Sequence, residues 1–132
     1  MLYETGLDTA QMDVRVCTCD FCRKHGAETT SDPKGRLRLM VYDSSKLNRY
    51  RFGLRTADYL ICHECGVYIG ALLAFDDKCY GTVNTRVFQE KSHLPQKHHT
   101  VSYDGEHEQE REVRRKALWT PAEILFHKEE GA

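Results

Sequence analysis

The chain has 132 residues and a mass of 15.3 kDa, the size of one ordinary domain. Its 19 Lys and Arg and 20 Asp and Glu give a formal charge of −1, which argues against a nucleic-acid binder that depends on a strongly basic surface. Hydrophobic residues form 40% of the chain, enough for a folded core, and no apolar run reaches the roughly 18 residues of a membrane-spanning helix.

The first part of the chain carries several charged residues and contains no apolar segment of the secretory type. We therefore expect one domain over residues 1–132, located in the cytoplasm, with no membrane or nucleic-acid partner. In that compartment the six cysteines are expected to be reduced, which favours metal binding or thiol chemistry over disulfide bonds.

The first two thirds of the chain, up to about residue 90, have the patterns of short β-strands. Residues 36–42 alternate polar and apolar side chains before an apolar run, and they follow a turn that contains Pro33 and Gly35. Further strand candidates, each bounded by Gly, Asp or Asn, are residues 49–53, 58–61, 67–73 and 80–87. These patterns predict an all-β or β-rich core.

Residues 91–132 are predicted to form a loop and a helical extension of that core. The polar stretch 89–100 contains His93, His98 and His99, which we interpret as solvated because no Cys or carboxylate adjoins them at a ligand spacing.

Two helices are predicted after this loop. Residues 106–118 place Glu and Arg or Lys four apart, which is typical of an exposed helix, and we interpret it as a solvated surface rather than a binding patch. Thr120 and Glu123 have the spacing of a capping box, with Pro121 at the first helical position, and so predict a short C-terminal helix.

Two cysteine clusters, in residues 17–22 and 62–66, are the candidates for chemistry. Two cysteines separated by two residues can place both sulfurs about 2.3 Å from one zinc ion, and Gly66 supplies the backbone freedom that such a turn needs. Zinc binding is therefore favoured. Thiol redox chemistry and inert buried cysteines are the alternatives.

The number of cysteines allows two arrangements of ligands. Cys19, Cys22, Cys62 and Cys65 can form a closed, structural four-sulfur site, which the spacing alone slightly favours. Alternatively, Cys17, Cys19 and Cys22 bind one ion and leave its fourth position to substrate or water, while Cys62 and Cys65 serve a second site. The sequence does not choose between them.

The Cys-x-Cys-x-x-Cys-Arg motif of residues 17–23, followed by Cys62-x-x-Cys65-Gly66, resembles the glutathione-dependent formaldehyde-activating enzyme family, which includes centromere protein V. The likeness extends over about residues 14–90. It implies an all-β, Mss4-like fold with two zinc sites. By position, Cys17, Cys19 and Cys22 match the open, catalytic zinc site, and Cys62 and Cys65 match half of the structural site.

One part of the family's pattern is missing. Members carry another Cys-x-Cys-Gly pair on an earlier strand, and no cysteine precedes Cys17 here, although residues 2–5 resemble the tail of that strand. The other half of the structural site is therefore unaccounted for. Cys79 and His63 match no ligand of the family.

The resemblance implies that glutathione or a similar thiol adds to formaldehyde, a reaction classed with the carbon-sulfur lyases. Zinc with three thiolate ligands is formally −1, so it favours binding sulfur over activating water. Cys19 and His25 are then the candidate catalytic residues, His25 as a carrier of protons.

The carboxylates of such a thiol need cationic or polar partners. The candidates lie beside the cysteines or in the family's motifs, and they are Arg23, Lys24, Arg55, Asn84 and Arg86. Two other functions stay open at this point: a non-catalytic zinc module that binds a protein partner, and a redox-sensing thiol protein.

Overall fold

The computed structural model describes residues 1–8, 11–51, 56–75, 77–89 and 98–126. Ten strands and two short α-helices lie in these ranges, so the predicted β-rich fold is confirmed. The strands are β1 (Leu2–Glu4), β2 (Val14–Cys17), β3 (Thr29–Thr30), β4 (Arg36–Val41), β5 (Leu47–Tyr50), β6 (Asp58–Cys62), β7 (Tyr68–Phe75), β8 (Lys78–Asn84), β9 (His99–Val101) and β10 (Thr120–Phe126). The helices are α1 (Asp20–His25) and α2 (Glu108–Leu118), and 3₁₀ turns span Ser44–Lys46 and Thr85–Val87.

The strands form one mixed sheet that branches at β8. Along one path the order is β1, β4, β10, β8, β3, β2 and β9, while β7, β6 and β5 continue from the other edge of β8. The pairs β4–β10 and β2–β9 are parallel, and the other pairs of the described strands are antiparallel. This topology brings β2, which ends at Cys17, next to β9 from the last third of the chain.

The main core lies where β4, β6, β7 and β8 meet. It consists of five buried residues, Leu37, Leu39, Leu60, Leu72 and Val83. Each fully buried side chain of this size contributes about 1.5–3 kcal/mol to folding. The alternation in β4 that predicted a strand from sequence is explained by this core, because Leu37 and Leu39 face inward and the two arginines face outward.

Two smaller clusters extend the core towards the first cysteines. Trp119, at the end of α2, packs with Ala57, Ala71 and Leu73. A separate cluster joins Cys22 and Ala27 to Tyr68 of β7 and to partly buried Phe21 and Tyr59; its buried members are Cys22, Ala27 and Tyr68. The cysteine region is therefore packed against the sheet.

Most of the predicted elements are found, with shifted ends. The predicted strands over 36–42, 58–61 and 67–73 correspond to β4, β6 and β7. The strand predicted over 80–87 is β8, which ends at Asn84 and is followed by a 3₁₀ turn. The strand predicted over 49–53 overlaps the end of β5, and part of this range lies outside the described residues. The helix predicted over 106–118 is α2, and residues 2–4 form β1 against β4.

The C-terminal helix predicted from the capping box is wrong, because residues 120–126 form β10. The two side chains of the supposed capping box make tertiary contacts instead. The Thr120 hydroxyl accepts a hydrogen bond from the Asp32 N–H at 2.9 Å, and the Glu123 carboxylate pairs with Arg38 at 2.7 Å. Pairing with β4 and β8 satisfies the backbone and overrides the local helix signal.

The predicted loop over residues 89–100 is also partly wrong. His99 begins β9, which pairs with β2, and its Nδ1 lies 3.1 Å from Asp13. His98 is exposed, and His93 lies outside the described residues. Neither of the two described helices is long and apolar enough to cross a membrane.

Candidate metal centre and the pocket beside it

Three cysteines lie together where β2 leads into α1. Cys17 ends β2, Cys19 precedes the first residue of α1, and Cys22 lies within the helix. Their sulfur atoms all lie within 4.8 Å of one another. The sulfur of Cys19 accepts a hydrogen bond from the Cys22 N–H at 3.4 Å and so caps the helix. We call Cys17, Cys19 and Cys22 the cysteine triad.

Aromatic rings hold α1 against the sheet. The ring of Phe21 meets Tyr68 edge-on, with centroids 4.9 Å apart, and meets Tyr59 in the same way at 5.0 Å. Cys22 packs in the same cluster and is buried. The helix is only six residues long, so this packing and the cap, rather than helix propensity, position the triad.

The three thiols share their protons unequally. The thiols of Cys17 and Cys22 donate hydrogen bonds to the sulfur of Cys19, which lowers the pKa of Cys19 well below its usual range. Hydrogen bonds among the three side chains also raise the pKa of Cys17, chiefly the one with Cys19, and the pKa of Cys22, chiefly the one with Cys17. A metal ion bound there would deprotonate all three.

The triad fits a metal ion of the soft or borderline class. Sulfurs bound to one tetrahedral zinc ion lie about 3.8 Å apart, given Zn–S bonds of about 2.3 Å. The observed separations, all within 4.8 Å, need only a small contraction. Among the described residues, no fourth Cys, His, Asp or Glu joins this group. Three protein sulfurs can therefore hold an ion without closing its coordination shell.

Cys62 and Cys65, which we call the cysteine pair, lie at the turn between β6 and β7. The N–H groups of Cys65 and Glu64 hydrogen-bond to the sulfur of Cys62 and lower its pKa. Gly66 has a φ of 75° and donates its N–H to the Cys62 carbonyl at 2.8 Å, which closes the turn. The pair lies at the surface, with Cys65 exposed.

The closed four-sulfur site that the spacing slightly favoured is not formed. Among the described residues, the group of potential ligands near one another contains Cys17, and neither member of the pair belongs to it. Cys79 is half-buried against the main core, and burial raises its pKa. The structure thus separates the triad from the pair.

A pocket with a volume of about 60 Å³ opens beside the triad. The three cysteines form one part of its lining, and Arg15, Arg114 and Arg115 belong to the remainder. We call it the arginine pocket. Two of these arginines come from α2, so the interpretation of that helix as a purely solvated surface is wrong on this side, although Val113 on the opposite side is exposed.

Arg115 is buried beside the triad, with 4% of its surface exposed. Its Nη1 donates to the Thr56 hydroxyl at 2.6 Å and its Nη2 to the Tyr59 hydroxyl at 3.2 Å. The guanidinium carbon lies 4.8 Å from the centre of the Trp119 ring. Its Nε has no hydrogen-bond partner, and burial lowers its pKa. A guanidinium nevertheless keeps its charge at neutral pH.

The other two arginines of the pocket are held by polar partners. Arg114 binds the Glu106 carboxylate with contacts of 2.8 and 3.0 Å and stacks over the Tyr103 ring at 3.5 Å. Arg15 is buried and donates to the Ser31 hydroxyl at 2.6 Å, while its nearest carboxylate is 3.9 Å away. The positive charge of Arg114 is therefore compensated at short range, unlike that of Arg115.

Three of the predicted site residues lie on α1 but outside the lining of the arginine pocket. Arg23 and Lys24 are exposed, and Arg23 lies 3.5 Å from Asp20. His25 is also exposed; its ring contacts the Phe21 ring in a tilted arrangement with centroids 4.4 Å apart, and its Nδ1 lies 2.9 Å from the Phe21 carbonyl oxygen. These three side chains therefore lie on the exposed side of α1.

Asn84 and Arg86, which were predicted to bind substrate, instead connect the end of β8 to the loop before β3. The buried Asn84 side chain donates to the Tyr68 carbonyl at 2.9 Å and accepts from the Glu28 N–H at 3.2 Å. Arg86 pairs with the Glu28 carboxylate at 3.1 Å. Neither lines the arginine pocket. Arg55 lies outside the described residues.

The residues that do line the pocket were missed in the sequence, except for the cysteines. Arg15 had a usable signal, because it lies two residues before Cys17 on one strand and so on the same face of β2. Arg115 had none, because it belongs to a charged helix more than ninety residues away in the chain. Sheet pairing, not local pattern, brings it to the triad.

No protein-family model matches the chain, and no curated protein matches it significantly. Among solved structures, the chain is similar to the crystal structure of a Rhodobacter sphaeroides protein that was a structural genomics target. The match has 27% sequence identity and a TM-score of 0.50, and it covers 75% of this chain and 90% of that chain. The description of that protein names no activity, ligand or metal.

Proposed function

We propose that Cys17, Cys19 and Cys22 bind one Zn²⁺ and that a small thiol occupies the remaining position for carbon-sulfur chemistry with an aldehyde such as formaldehyde. The observation that carries this proposal is the grouping of three sulfurs, without a fourth ligand among the described residues, beside a pocket. A closed structural site would need a fourth ligand. The triad instead leaves room for an exogenous one.

The chemistry of the ligands favours a thiol over water. When bound, zinc lowers the pKa of a coordinated thiol and supplies a thiolate at neutral pH. Three cysteine thiolates are soft ligands and leave the site formally negative, which suits a fourth soft sulfur. The resemblance of residues 17–23 to the glutathione-dependent formaldehyde-activating enzymes supports the same class of reaction.

The proposed reaction is the addition of the thiol to the aldehyde, or its reverse. The sulfur forms a bond to the carbonyl carbon, the C=O π electrons move to oxygen, and that oxygen takes up a proton from solvent. The chain's contribution is to orient the thiol. The triad fixes the sulfur end, and buried Trp119 with partly buried Tyr59 restricts the access of bulk water from that side.

Cobalt-loaded protein gives the direct test. Co²⁺ in a sulfur site has visible charge-transfer bands, so addition of glutathione or 2-mercaptoethanol should change the spectrum, and zinc-loaded protein should accelerate formation of the hydroxymethyl thioether followed by NMR. Cys19→Ala should abolish both effects. Cys65→Ala, which removes an exposed cysteine of the pair, is the matched control and should leave both intact.

Two results would contradict the proposal. A fully loaded triad whose spectrum ignores every thiol would be a structural metal site, consistent with a non-catalytic module. A triad that binds no metal but forms a reversible disulfide on mild oxidation would be a redox site.

A further inference from the structure

Arg115 is a buried cation without a carboxylate partner among the described residues. The hydroxyls of Thr56 and Tyr59 and the face of Trp119 orient the guanidinium, but they carry no negative charge. A buried guanidinium that lacks a carboxylate partner is costly, and a buried N–H without an acceptor adds to that cost.

The unpaired group lies in the same pocket as the triad. Arg115 and the three cysteines line the arginine pocket together, and the buried Nε has no acceptor. The neighbouring Arg114 already binds Glu106, so its charge is not free in the same way. The pocket therefore has two chemically different parts, a sulfur-rich part that suits a thiol and a guanidinium that suits an anion.

The size of the pocket limits what can join these two parts. Its volume of about 60 Å³ is far below the 300–1,000 Å³ typical of pockets that enclose drug-sized ligands. A tripeptide would have to leave most of its atoms outside. A thiol with two or three carbons and one carboxylate matches the scale of the pocket.

We propose that the arginine pocket selects a short thiol with a single carboxylate, which Arg115 binds while the sulfur occupies the open position at the triad. This inference rests on the proposed function, because it needs a thiol at the metal. A carboxylate would give the guanidinium an ion-pair partner, in the planar geometry that favours guanidinium over ammonium. The substrate class is thus a short mercaptocarboxylate rather than glutathione.

Titration of the cobalt-loaded full-length protein with three thiols tests the selection. The probes are 3-mercaptopropionate, its neutral counterpart 2-mercaptoethanol, and glutathione, and the readout is the change in the charge-transfer spectrum. We expect 3-mercaptopropionate to bind at least about tenfold more tightly than either of the others, as for a charge-assisted hydrogen bond in a buried site. Its addition should also raise the Tm more than the same excess of 2-mercaptoethanol.

Variants of the arginine locate the effect. Arg115→Met should remove the preference for 3-mercaptopropionate and leave the binding of 2-mercaptoethanol within about twofold, while Arg115→Lys should retain part of the preference. Arg111→Met is the matched control from the same helix, since Arg111 binds Glu106 and does not line the pocket. Should the Met variant fail to fold, the comparison of ligands in the wild type and in Arg115→Lys still decides.

The outcomes separate this inference from the proposed function. If 3-mercaptopropionate and 2-mercaptoethanol both bind the metal with equal affinity, the role of Arg115 is refuted and the thiol site stands. If no thiol changes the spectrum, the proposed function fails and this inference falls with it. If Arg115→Met weakens cobalt binding itself and all thiols equally, the arginine only balances the charge of the triad. Equal or tighter binding of glutathione would overturn the size argument.

Discussion

The cysteine triad and the cysteine pair have the same Cys-x-x-Cys spacing but different surroundings. The triad gains a third sulfur from Cys17, is packed against aromatic rings and faces buried arginines. The pair lies on an exposed turn, and its nearest described ion pair joins Lys46 to Glu64 at the surface. The same spacing of two cysteines thus gives different sites because different elements surround each one.

Electrostatics separates the two clusters as well. At the triad, neighbouring thiols control the pKa of Cys19, so protonation of one cysteine depends on the other two. At the pair, backbone N–H groups provide the largest effect on Cys62. The pKa of Cys19 therefore depends on the two sulfurs that could hold a metal ion with it, whereas the pKa of Cys62 depends on the backbone of a local turn.

The largest expected effect is on metal binding. Cys22→Ser should weaken the affinity of the triad for Zn²⁺ by more than about a hundredfold, because even changes outside the coordination shell cost 10–100-fold. Competition with a chromophoric chelator measures this. Cys65→Ser should leave the tight site unchanged, and equal losses in the two variants would mean that both clusters share one ion.

Stability should depend strongly on the residue that joins α2 to the sheet beside the triad. Trp119 is 5% exposed, and Trp119→Ala should lower the free energy of unfolding by about 3–5 kcal/mol. Urea denaturation measures the loss. Val113→Ala, on the exposed side of the same helix, should change it by less than about 0.5 kcal/mol. A small effect at Trp119 would mean that α2 is not needed to build the pocket.

Asn84 tests whether a predicted substrate residue is structural. Asn84→Ala breaks buried hydrogen bonds to the Tyr68 carbonyl and the Glu28 N–H, and should cost about 1–3 kcal/mol in unfolding free energy. Thiol affinity of the cobalt-loaded protein should stay within about twofold. Asn48→Ala, at an exposed position of β5, serves as the control. A large loss of thiol affinity at unchanged stability would instead return Asn84 to the binding site.

The smallest expected effect is a pH-dependent contribution of Glu106, just before α2, to the free energy of unfolding. Hydrogen bonds from Arg114 and then Arg111 lower the pKa of Glu106. Because the pKa is lower in the folded state, this group stabilises the fold above its unfolded pKa, near 4.5, and the contribution disappears as the pH falls through the folded pKa. Glu106→Gln should therefore cost about 1 kcal/mol at pH 7 and less at pH 3.5.

Urea denaturation of the wild type and the Glu106→Gln variant at both pH values checks that expectation. A difference that stays constant between the two would show that the carboxylate's charge does not stabilise the fold.

Local patterns were reliable where one strand alone determines them. The alternation of residues 36–41 predicted β4 because Leu37 and Leu39 face the core and the arginines between them do not. The capping box at Thr120 failed because its side chains bind Asp32 and Arg38 instead, and because β4 and β8 both pair with this segment. A local signal worth about 1 kcal/mol does not outweigh two strand pairings.

The sequence by itself determined that the protein is β-rich and that its cysteines occur as a group of three and a group of two. Only the tertiary structure decided that Cys17 joins Cys19 and Cys22 while Cys62 and Cys65 stay apart. It also brought Arg115 to the triad. The physical reason is that spacing along the chain limits which sulfurs meet within one turn, whereas the pairing of distant strands decides which charges and rings surround them.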